Sequence, residues 1–282
     1  RPHAVAHNDY YTGKIDAYMA RHRIKPGITG LAQVRGFRGN TERAEDLEAR
    51  LRSFENLTLA SMARQTDKDF LFLVLSSDRM PEKYRSKLEE LCAKVPHVVL
   101  RFYPPTDVGS AVIATCNDLN INLSEFAQFR LDDDDCLSIR FIERLKVHCE
   151  RMRDLRPFAI SFGRNLAVSI YRDRPIGFWR YNQAFFSAGL AIRPKRAGRT
   201  VFHFGHFAVQ RRMDHFVDQS HLGALVLKWP SDSIPMNPDR PGEMYVPIPQ
   251  KEFSECLERD FPYLIGFDFE TLRPTSTNPT SS

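Results

Sequence analysis

The sequence predicts an α/β fold, a mostly parallel sheet flanked by helices, with a smaller β-rich C-terminal half. Two features of the 282 residues indicate this fold. Up to residue 156, apolar runs of strand length alternate with segments whose apolar residues recur at the spacing of one helix face. After residue 156 this helical periodicity gives way to short β-rich segments. The length supports one large domain or two small ones, with a core that needs no disulfide or metal.

The N-terminal part of the sheet is predicted from three apolar strands separated by amphipathic helices. The predicted order is a helix starting near Thr41, a strand at Phe70–Leu75, a helix opened by Pro81, a strand at Val98–Tyr103, a helix at Val108–Leu119, a strand at Phe126–Leu131 and a helix capped by Ser138. Because Phe70–Leu75 is continuously apolar, we expect that strand to be buried on both faces. The alternation favours parallel strands joined by right-handed crossovers.

Shorter elements are expected on either side of this region. Phe158–Phe162 and Leu166–Tyr171 predict a hairpin, with residues 163–165 as its turn. Further short strands are expected at Ile28–Phe37, Ser187–Ile192 and Thr200–Phe204. The Ser, Thr and Pro content of residues 271–282 predicts a disordered tail.

Composition and charge exclude several classes of protein. The five cysteines include no Cys-x-x-Cys pair, which argues against structural zinc and a disulfide framework and favours a reducing cytoplasm. No apolar run approaches the roughly 20 residues of a membrane span. The net charge of +5 is concentrated in residues 1–45, where eight Lys and Arg accompany four Asp and Glu. This segment could contact phosphate or anionic lipid, or be a solvated basic arm, and its aromatic spacing argues against nucleic acid.

The sharpest chemical feature is a run of four aspartates, Asp132–Asp135, directly after the strand predicted at Phe126–Leu131. In open α/β sheets, ligands bind beyond the carboxyl ends of the strands. Adjacent carboxylates repel one another, and Mg²⁺, Mn²⁺ or Ca²⁺ relieves that repulsion. Such a cation could bridge two phosphates and neutralise a departing diphosphate. The alternative is a solvated acidic turn that caps the next helix.

Residues 51–270 resemble the bacterial "putative rhamnosyl transferase" family of GT-A-type glycosyltransferases. The resemblance lies in RSFENLTLASMARQTDKDFLFLVLSSDRMPEKYRSKLEEL (52–91), FAQFRLDDDDCLS (126–138) and TVFHFGH (200–206). It places the aspartate run at the metal-binding Asp-x-Asp (DXD) motif. The implied metal ligands for Mn²⁺ or Mg²⁺ include Asp132 and Asp134, and the implied donor-binding residues are Ser76, Ser77, Asp78, Asp132 and Asp133.

The N-terminal residues resemble a different family. RPHAVAHNDYYTGKIDAYMARHRIKPGITGLAQVRGFRGNTE (1–42) is similar to the C-terminal part of polyprenyl-phosphate sugar phosphotransferases, the initiating enzymes of exopolysaccharide synthesis. That family's re-entrant membrane helix and catalytic acidic pair lie upstream of this stretch. We therefore expect a fusion of residues 1–45, without phosphotransferase activity of their own, to a GT-A-like domain at 46–270. Either Ile28–Phe37 replaces the first strand of the GT-A sheet, or the donor pocket is incomplete.

Two further side chains are candidates for the reaction. A histidine late in a GT-A domain often supplies a further metal ligand, and we select His206 because it follows a predicted strand. The other nearby histidines are His203, His215 and His221. Inverting transfer needs a carboxylate that deprotonates the acceptor hydroxyl. Asp232 is our candidate, Asp214 and Asp218 compete with it, and an ordinary turn aspartate is the alternative for each.

The sequence therefore predicts a metal-dependent glycosyltransferase that moves a sugar from a nucleotide-diphosphate donor to a glycan or lipid-linked acceptor in bacterial polysaccharide synthesis. We expect it in the cytoplasm, with peripheral contact to the inner membrane through residues 1–45. The alternatives are a fragment of a polyprenyl-phosphate sugar phosphotransferase and an inactive folded remnant of a fusion.

Overall fold

The computed structural model describes residues 25–26, 44–171, 174–229 and 236–273. Its strands are β1 (Lys25–Pro26), β2 (Phe72–Ser77), β3 (Val98–Tyr103), β4 (Phe126–Phe129), β5 (Cys136–Leu137), β6 (Phe158–Ser169), β7 (Gly177–Tyr181), β8 (Ala191–Arg193), β9 (Asp214–Lys228) and β10 (Tyr245–Pro247). Its α-helices are α1 (Ala44–Ser53), α2 (Ala60–Ala63), α3 (Glu82–Ala93), α4 (Val108–Asp118), α5 (Phe141–Arg151) and α6 (Gln250–Asp260). The predicted α/β class is confirmed.

The parallel pair β2–β3 forms a small sheet that is covered on both faces. Phe72 and Val74 of β2 pack into the same cluster as Leu88 of α3. Leu73, on the opposite face of the strand, packs into a second cluster with Val112 of α4. The continuous apolar run is therefore buried on both sides, as the sequence predicts for a parallel strand between two helices.

The larger sheet is mixed rather than mostly parallel. Its strand order is β1-β4-β8-β6-β7-β10, and β9 pairs with both β5 and β6. Parallel pairing is present in β1–β4 and β6–β9, whereas β4–β8, β6–β8, β6–β7, β7–β10 and β5–β9 are antiparallel. The mostly parallel sheet predicted from the sequence is corrected accordingly. Between α5 and β10 the described part of the chain contains strands and 3-10 turns but no α-helix, and strands joined by short loops pair antiparallel.

The N-terminal segment contributes a strand beside β4. Lys25 lies opposite Phe126 and Pro26 opposite Ala127, in parallel register. The strand predicted at Ile28–Phe37 lies outside the described residues, as does the end of the predicted tail, residues 274–282.

Two predictions for the β-rich half are wrong, and a third is correct only in part. Phe158–Phe162 and Leu166–Tyr171 are not two arms of a hairpin, because one strand, β6, runs through Gly163 with register shifts against β9 on either side of Arg164. A glycine inside a strand often marks such an irregularity. The strand predicted at Ser187–Ile192 is confined to β8. Thr200–Phe204 contains a 3-10 helix instead, since the Thr200 side chain accepts a hydrogen bond from the backbone N–H of Phe202.

The helical stretch that begins at α1 lies against the aspartate run. Between α1 and α2 the chain forms a π-helical segment, Phe54–Leu59. Ser53 and Thr58 are fully buried, which is unusual for hydroxyl side chains without a specific partner. π-Helical turns are frequent at functional sites. Among the helices of the described residues, none is long and apolar enough to cross a membrane.

Candidate active site

The aspartate run forms a turn between β4 and β5. The backbone N–H of Asp135 donates to the carbonyl oxygen of Asp132 across 3.4 Å, which closes the turn. Asp135 is buried, whereas Asp132, Asp133 and Asp134 are half-buried. Helix α5 begins only at Phe141, with Arg140 as its N-cap. The acidic turn therefore does not cap that helix, so this part of the alternative is wrong, and metal binding at the turn stays a prediction.

Hydroxyl groups from the helical stretch hold the backbone of the turn. Thr58 Oγ1 donates to the carbonyl oxygen of Asp135 at 2.8 Å and approaches that of Asp132 at 3.3 Å. Ser53 Oγ lies 3.5 Å from the carbonyl oxygen of Asp133. Carbonyl oxygens of the turn thus face the helix, where they find donors in a buried setting.

One side of the turn is neutralised by Arg50 from α1. Its Nη1 lies 2.8 Å and 2.7 Å from the two carboxylate oxygens of Asp133. The negative charge of Asp133 has the largest effect on the Arg50 guanidinium and raises its pKa. Asp134 and Asp132 raise the pKa further, whereas burial opposes the rise. Asp133, predicted as a donor-binding residue, is therefore engaged by an arginine that the sequence analysis did not identify.

The other side of the turn meets Arg130 and His206. Arg130 Nη2 lies 3.4 Å from Oδ1 of Asp132, and Nη1 lies 3.0 Å from Nδ1 of His206. Burial, reinforced by the positive charge of Arg130, lowers the pKa of His206, while Asp132 opposes the shift. A neutral imidazole has one nitrogen that accepts, and the proximity of the guanidinium makes that nitrogen Nδ1. The structure thus brings Asp132 and His206 to the same arginine.

The donors present fit a metal that is shared with a phosphate ligand better than a metal held by the protein alone. Among the described residues, no group of three or more His, Cys, Asp and Glu side chains is arranged to hold an ion. Mg²⁺, however, is commonly bound by one or two carboxylates together with substrate phosphates and water. Asp132 and Asp134 supply carboxylates of that kind, and their role as metal ligands, like that of His206, stays a prediction.

The predicted donor-binding residues Ser76, Ser77 and Asp78 lie at the carboxyl end of β2, of which Ser76 and Ser77 are the last two residues. Ser76 is buried, Ser77 Oγ accepts from the backbone N–H of Arg79 at 3.1 Å, and Asp78 is exposed. Just beyond them, Lys83 of α3 pairs with Glu48 of α1 at 2.8 Å. Helix α1 therefore contacts both the region after β2, through Glu48, and the acidic turn.

The predicted general base, Asp232, lies outside the described residues. Of its two competitors, Asp214 is exposed at the start of β9, whereas Asp218 is 2 % exposed. Burial alone would raise the pKa of Asp218, but hydrogen bonds from Ser220 and His148 outweigh it and lower the pKa to about 2. A carboxylate with so low a pKa is a poor proton acceptor near neutral pH. Asp218 is thus a structural residue that joins β9 to α5 through His148 Nε2, at 2.9 Å.

The remaining histidines have local partners. His203 Nδ1 accepts from the backbone N–H of Thr200 at 3.0 Å and closes the 3-10 turn. His215 Nδ1 lies 3.4 Å from the carbonyl oxygen of Met213, and His221 Nδ1 lies 3.5 Å from Oδ2 of Asp218.

A family model described as "Putative rhamnosyl transferase" matches residues 38–234, well over half of the chain. The chain belongs to this family. The family assignment made from the sequence is confirmed, and with it the prediction that this rhamnosyl transferase family member is an enzyme of the glycosyltransferase class. A second model, described as "Bacterial sugar transferase", matches residues 1–65.

Curated relatives match only the N-terminal segment of this family member. It is similar to the UDP-glucose:undecaprenyl-phosphate glucose-1-phosphate transferase of Klebsiella pneumoniae, with 44% identity over 75 residues, which are 27% of this chain and 16% of that protein. The proteins of the same name from Escherichia coli K12 and Caulobacter vibrioides are 57% identical over 51 residues, 18% of this chain and 11% and 19% of their own lengths. The chain thus covers less than a fifth of these relatives.

Solved structures give only a distant likeness. The crystal structure of S. aureus TarS superposes with a TM-score of 0.42 and 9% identity, over 72% of this chain and 36% of that chain. S. aureus TarS 1-349 in complex with UDP gives a TM-score of 0.41 and 10% identity, over 90% and 67%. At these scores the likeness says nothing about ligand or reaction.

The Arg50–Asp133 ion pair should stabilise the fold more than an exposed pair on the same helix. We expect a double-mutant cycle with Arg50→Gln and Asp133→Asn to give a coupling free energy of about 1–2 kcal/mol, because the pair is partly buried and two contacts join it. The exposed Glu48–Lys83 pair, taken through Glu48→Gln and Lys83→Gln, should give less than about 0.5 kcal/mol. The measurement is denaturant unfolding of both sets of variants. Equal coupling in the two cycles would contradict this expectation.

Asp218 should make stability depend on pH below pH 4. Its folded pKa of about 2 lies below the roughly 3.9 of an unfolded chain, so its contribution is present above pH 4 and is lost as the pH falls towards 2. Between pH 5 and pH 2 the wild-type protein should lose about 2 kcal/mol more free energy of unfolding than Asp218→Asn. Asp154→Asn, at a 92 % exposed side chain, is the control and should follow the wild type. Parallel pH profiles for wild type and Asp218→Asn would disprove the assignment.

Proposed function

We propose that the protein transfers a sugar, rhamnose by its family, from a nucleotide-diphosphate donor to a glycan or lipid-linked acceptor with the help of Mn²⁺ or Mg²⁺. The acidic turn at the end of β4 is the observation that supports this most strongly. Its four aspartates are accompanied by two guanidinium groups, those of Arg50 and Arg130. The formal net charge of these six side chains is negative, which favours binding of a divalent cation and, through that cation, of a diphosphate.

Asp132 and Asp134 would hold the cation, which supplies positive charge to the leaving diphosphate when bound. Arg50 keeps Asp133 in place, and Thr58 fixes the backbone of the turn from the opposite side. This support leaves the turn little freedom to rearrange when a ligand arrives, as a preorganised site requires. Ser76, Ser77 and Asp78 would contact the base or ribose from the end of β2.

In the proposed reaction, the oxygen of an acceptor hydroxyl forms a bond to the anomeric carbon of the donor sugar. The bond between that carbon and the diphosphate oxygen breaks, and the nucleoside diphosphate leaves with the bonding electron pair. The hydroxyl proton passes to a carboxylate, for which Asp232 stays the candidate.

A nucleoside diphosphate and a metal should stabilise the folded protein together. We expect UDP, GDP or dTDP, whichever belongs to the donor, to raise the unfolding temperature in the presence of Mn²⁺, since a ligand at 100 times its Kd contributes about 2.7 kcal/mol. Asp134→Asn should lose this shift while keeping the unfolding temperature of the ligand-free protein. Asp154→Asn, distant from the turn in sequence and exposed, should keep the shift. The proposal fails if no nucleotide changes the unfolding temperature of the wild-type protein with either metal, which would favour an inactive remnant.

A second candidate function, transfer of a sugar phosphate to polyprenyl phosphate at the cytoplasmic face of the membrane, is favoured by the match of residues 1–65. The two reactions release different nucleotides. Transfer of the sugar alone releases a nucleoside diphosphate, whereas transfer of the sugar phosphate releases a nucleoside monophosphate. We expect chromatography of the products from a nucleotide sugar, an acceptor extract and Mn²⁺ to show the diphosphate, with Asp134→Asn as the inactive control. Release of the monophosphate would establish the second function instead.

A further inference from the structure

The largely buried guanidinium of Arg130 has fewer acceptors than its donors require. Its side chain is 12 % exposed. Nη1 donates to Nδ1 of His206 at 3.0 Å, Nη2 reaches Oδ1 of Asp132 only at 3.4 Å, and Nε has no hydrogen-bond partner among the described residues. An arginine carries five N–H donors, and buried donors are normally satisfied. This guanidinium therefore has donors left for a further acceptor.

The position of Arg130 is fixed by its neighbours. Its backbone N–H donates to the carbonyl oxygen of Leu190 at 3.1 Å, and its carbonyl oxygen accepts from the N–H of Gly189 at 2.9 Å. The guanidinium carbon lies 5.1 Å from the ring centre of Phe202. A guanidinium stacked on an aromatic ring and bonded at one end keeps its planar fork oriented.

Arg130 also differs from Arg50 in how its charge is used. Arg50 contacts both oxygens of one carboxylate, whereas Arg130 makes one long contact to Asp132 and otherwise contacts a ring nitrogen of His206. The Asp132 side chain is 30 % exposed, so this contact lies where a ligand can reach the turn. Planar guanidinium groups suit phosphate oxygens, which accept charge-assisted hydrogen bonds.

We propose that Arg130 binds a phosphate oxygen of the donor's diphosphate through the Nη hydrogens that His206 and Asp132 leave over, and that His206 is a positioning residue that holds the guanidinium in place. This inference rests on the proposed function. The inference assigns His206 a role other than that of a metal ligand. Nδ1 of His206 accepts a hydrogen bond from Arg130, so the proton of the neutral ring lies on Nε2.

Isothermal titration calorimetry of Arg130→Gln tests the phosphate contact. Affinity for UDP, GDP or dTDP in the presence of Mn²⁺ should fall about tenfold or more, because charge-assisted hydrogen bonds are lost. Affinity for the corresponding nucleoside should be unchanged. Affinity for Mn²⁺ alone should stay the same or rise, since a positive charge beside Asp132 has been removed. Arg153→Gln, at a 61 % exposed arginine, is the control and should match the wild type.

A pair of variants at His206 tests the positioning role. His206→Leu removes the acceptor and should lower nucleoside diphosphate affinity in the same direction as Arg130→Gln. His206→Asn places an amide oxygen near the position of Nδ1 and should restore most of that affinity, which a merely structural role would not explain. Mn²⁺ affinity should be unchanged in both.

Two results would overturn the inference while leaving the proposed function intact: full diphosphate affinity in Arg130→Gln, or loss of Mn²⁺ binding in His206→Leu. Should Arg130→Gln fail to fold, the two His206 variants decide alone. A wild-type protein that binds no nucleoside diphosphate with either metal would remove the proposed function, and this inference with it.

Discussion

Electrostatic repulsion within Asp132–Asp135 is the constraint on which the rest of the site depends. Carboxylates so close together are stable in one turn only if positive charge and hydrogen-bond donors reach them. Arg50 arrives from α1, on one side, and Arg130 from the end of β4, on the other. The Thr58 hydroxyl donates a hydrogen bond to a carbonyl oxygen of the same turn. The net negative charge that remains on the turn would attract a divalent cation, and that cation would in turn bind the diphosphate.

The helical stretch behind the turn connects the two families that the sequence matches. Residues 38–65 fall in both family matches and include α1, the π-helical segment and α2. The same stretch supplies Arg50 and Thr58 to the acidic turn. β1, from the N-terminal match, lies parallel to β4, the strand that leads into the turn. Lys25 and Pro26 of the N-terminal match thus belong to the sheet that carries the candidate site.

Local sequence signals predict the N-terminal half of the fold well. The bounds predicted for Val98–Tyr103 are those of β3, and β2 is predicted with an error of two residues, because apolar runs and helical periodicity are properties of neighbouring residues. The β-rich half is harder. The sequence signals miss β9, a strand of fifteen residues, since its pattern is exposed at one end and buried at the other. The acidic run is evident in the sequence, but Arg50 is 83 residues from its partner Asp133, and only the folded chain brings them together. Arg130, two residues before Asp132, is visible in the sequence as a basic residue beside an acidic run.

The most direct test is the anomalous scattering of manganese in crystals of the protein grown with Mn²⁺ and UDP, GDP or dTDP. We expect a manganese peak within bonding distance of the Asp132 or Asp134 carboxylate, with diphosphate oxygens on the same ion. A nucleotide whose diphosphate lies away from this turn, or manganese bound elsewhere on the protein, would contradict the proposal that the four aspartates gather the cation and the diphosphate.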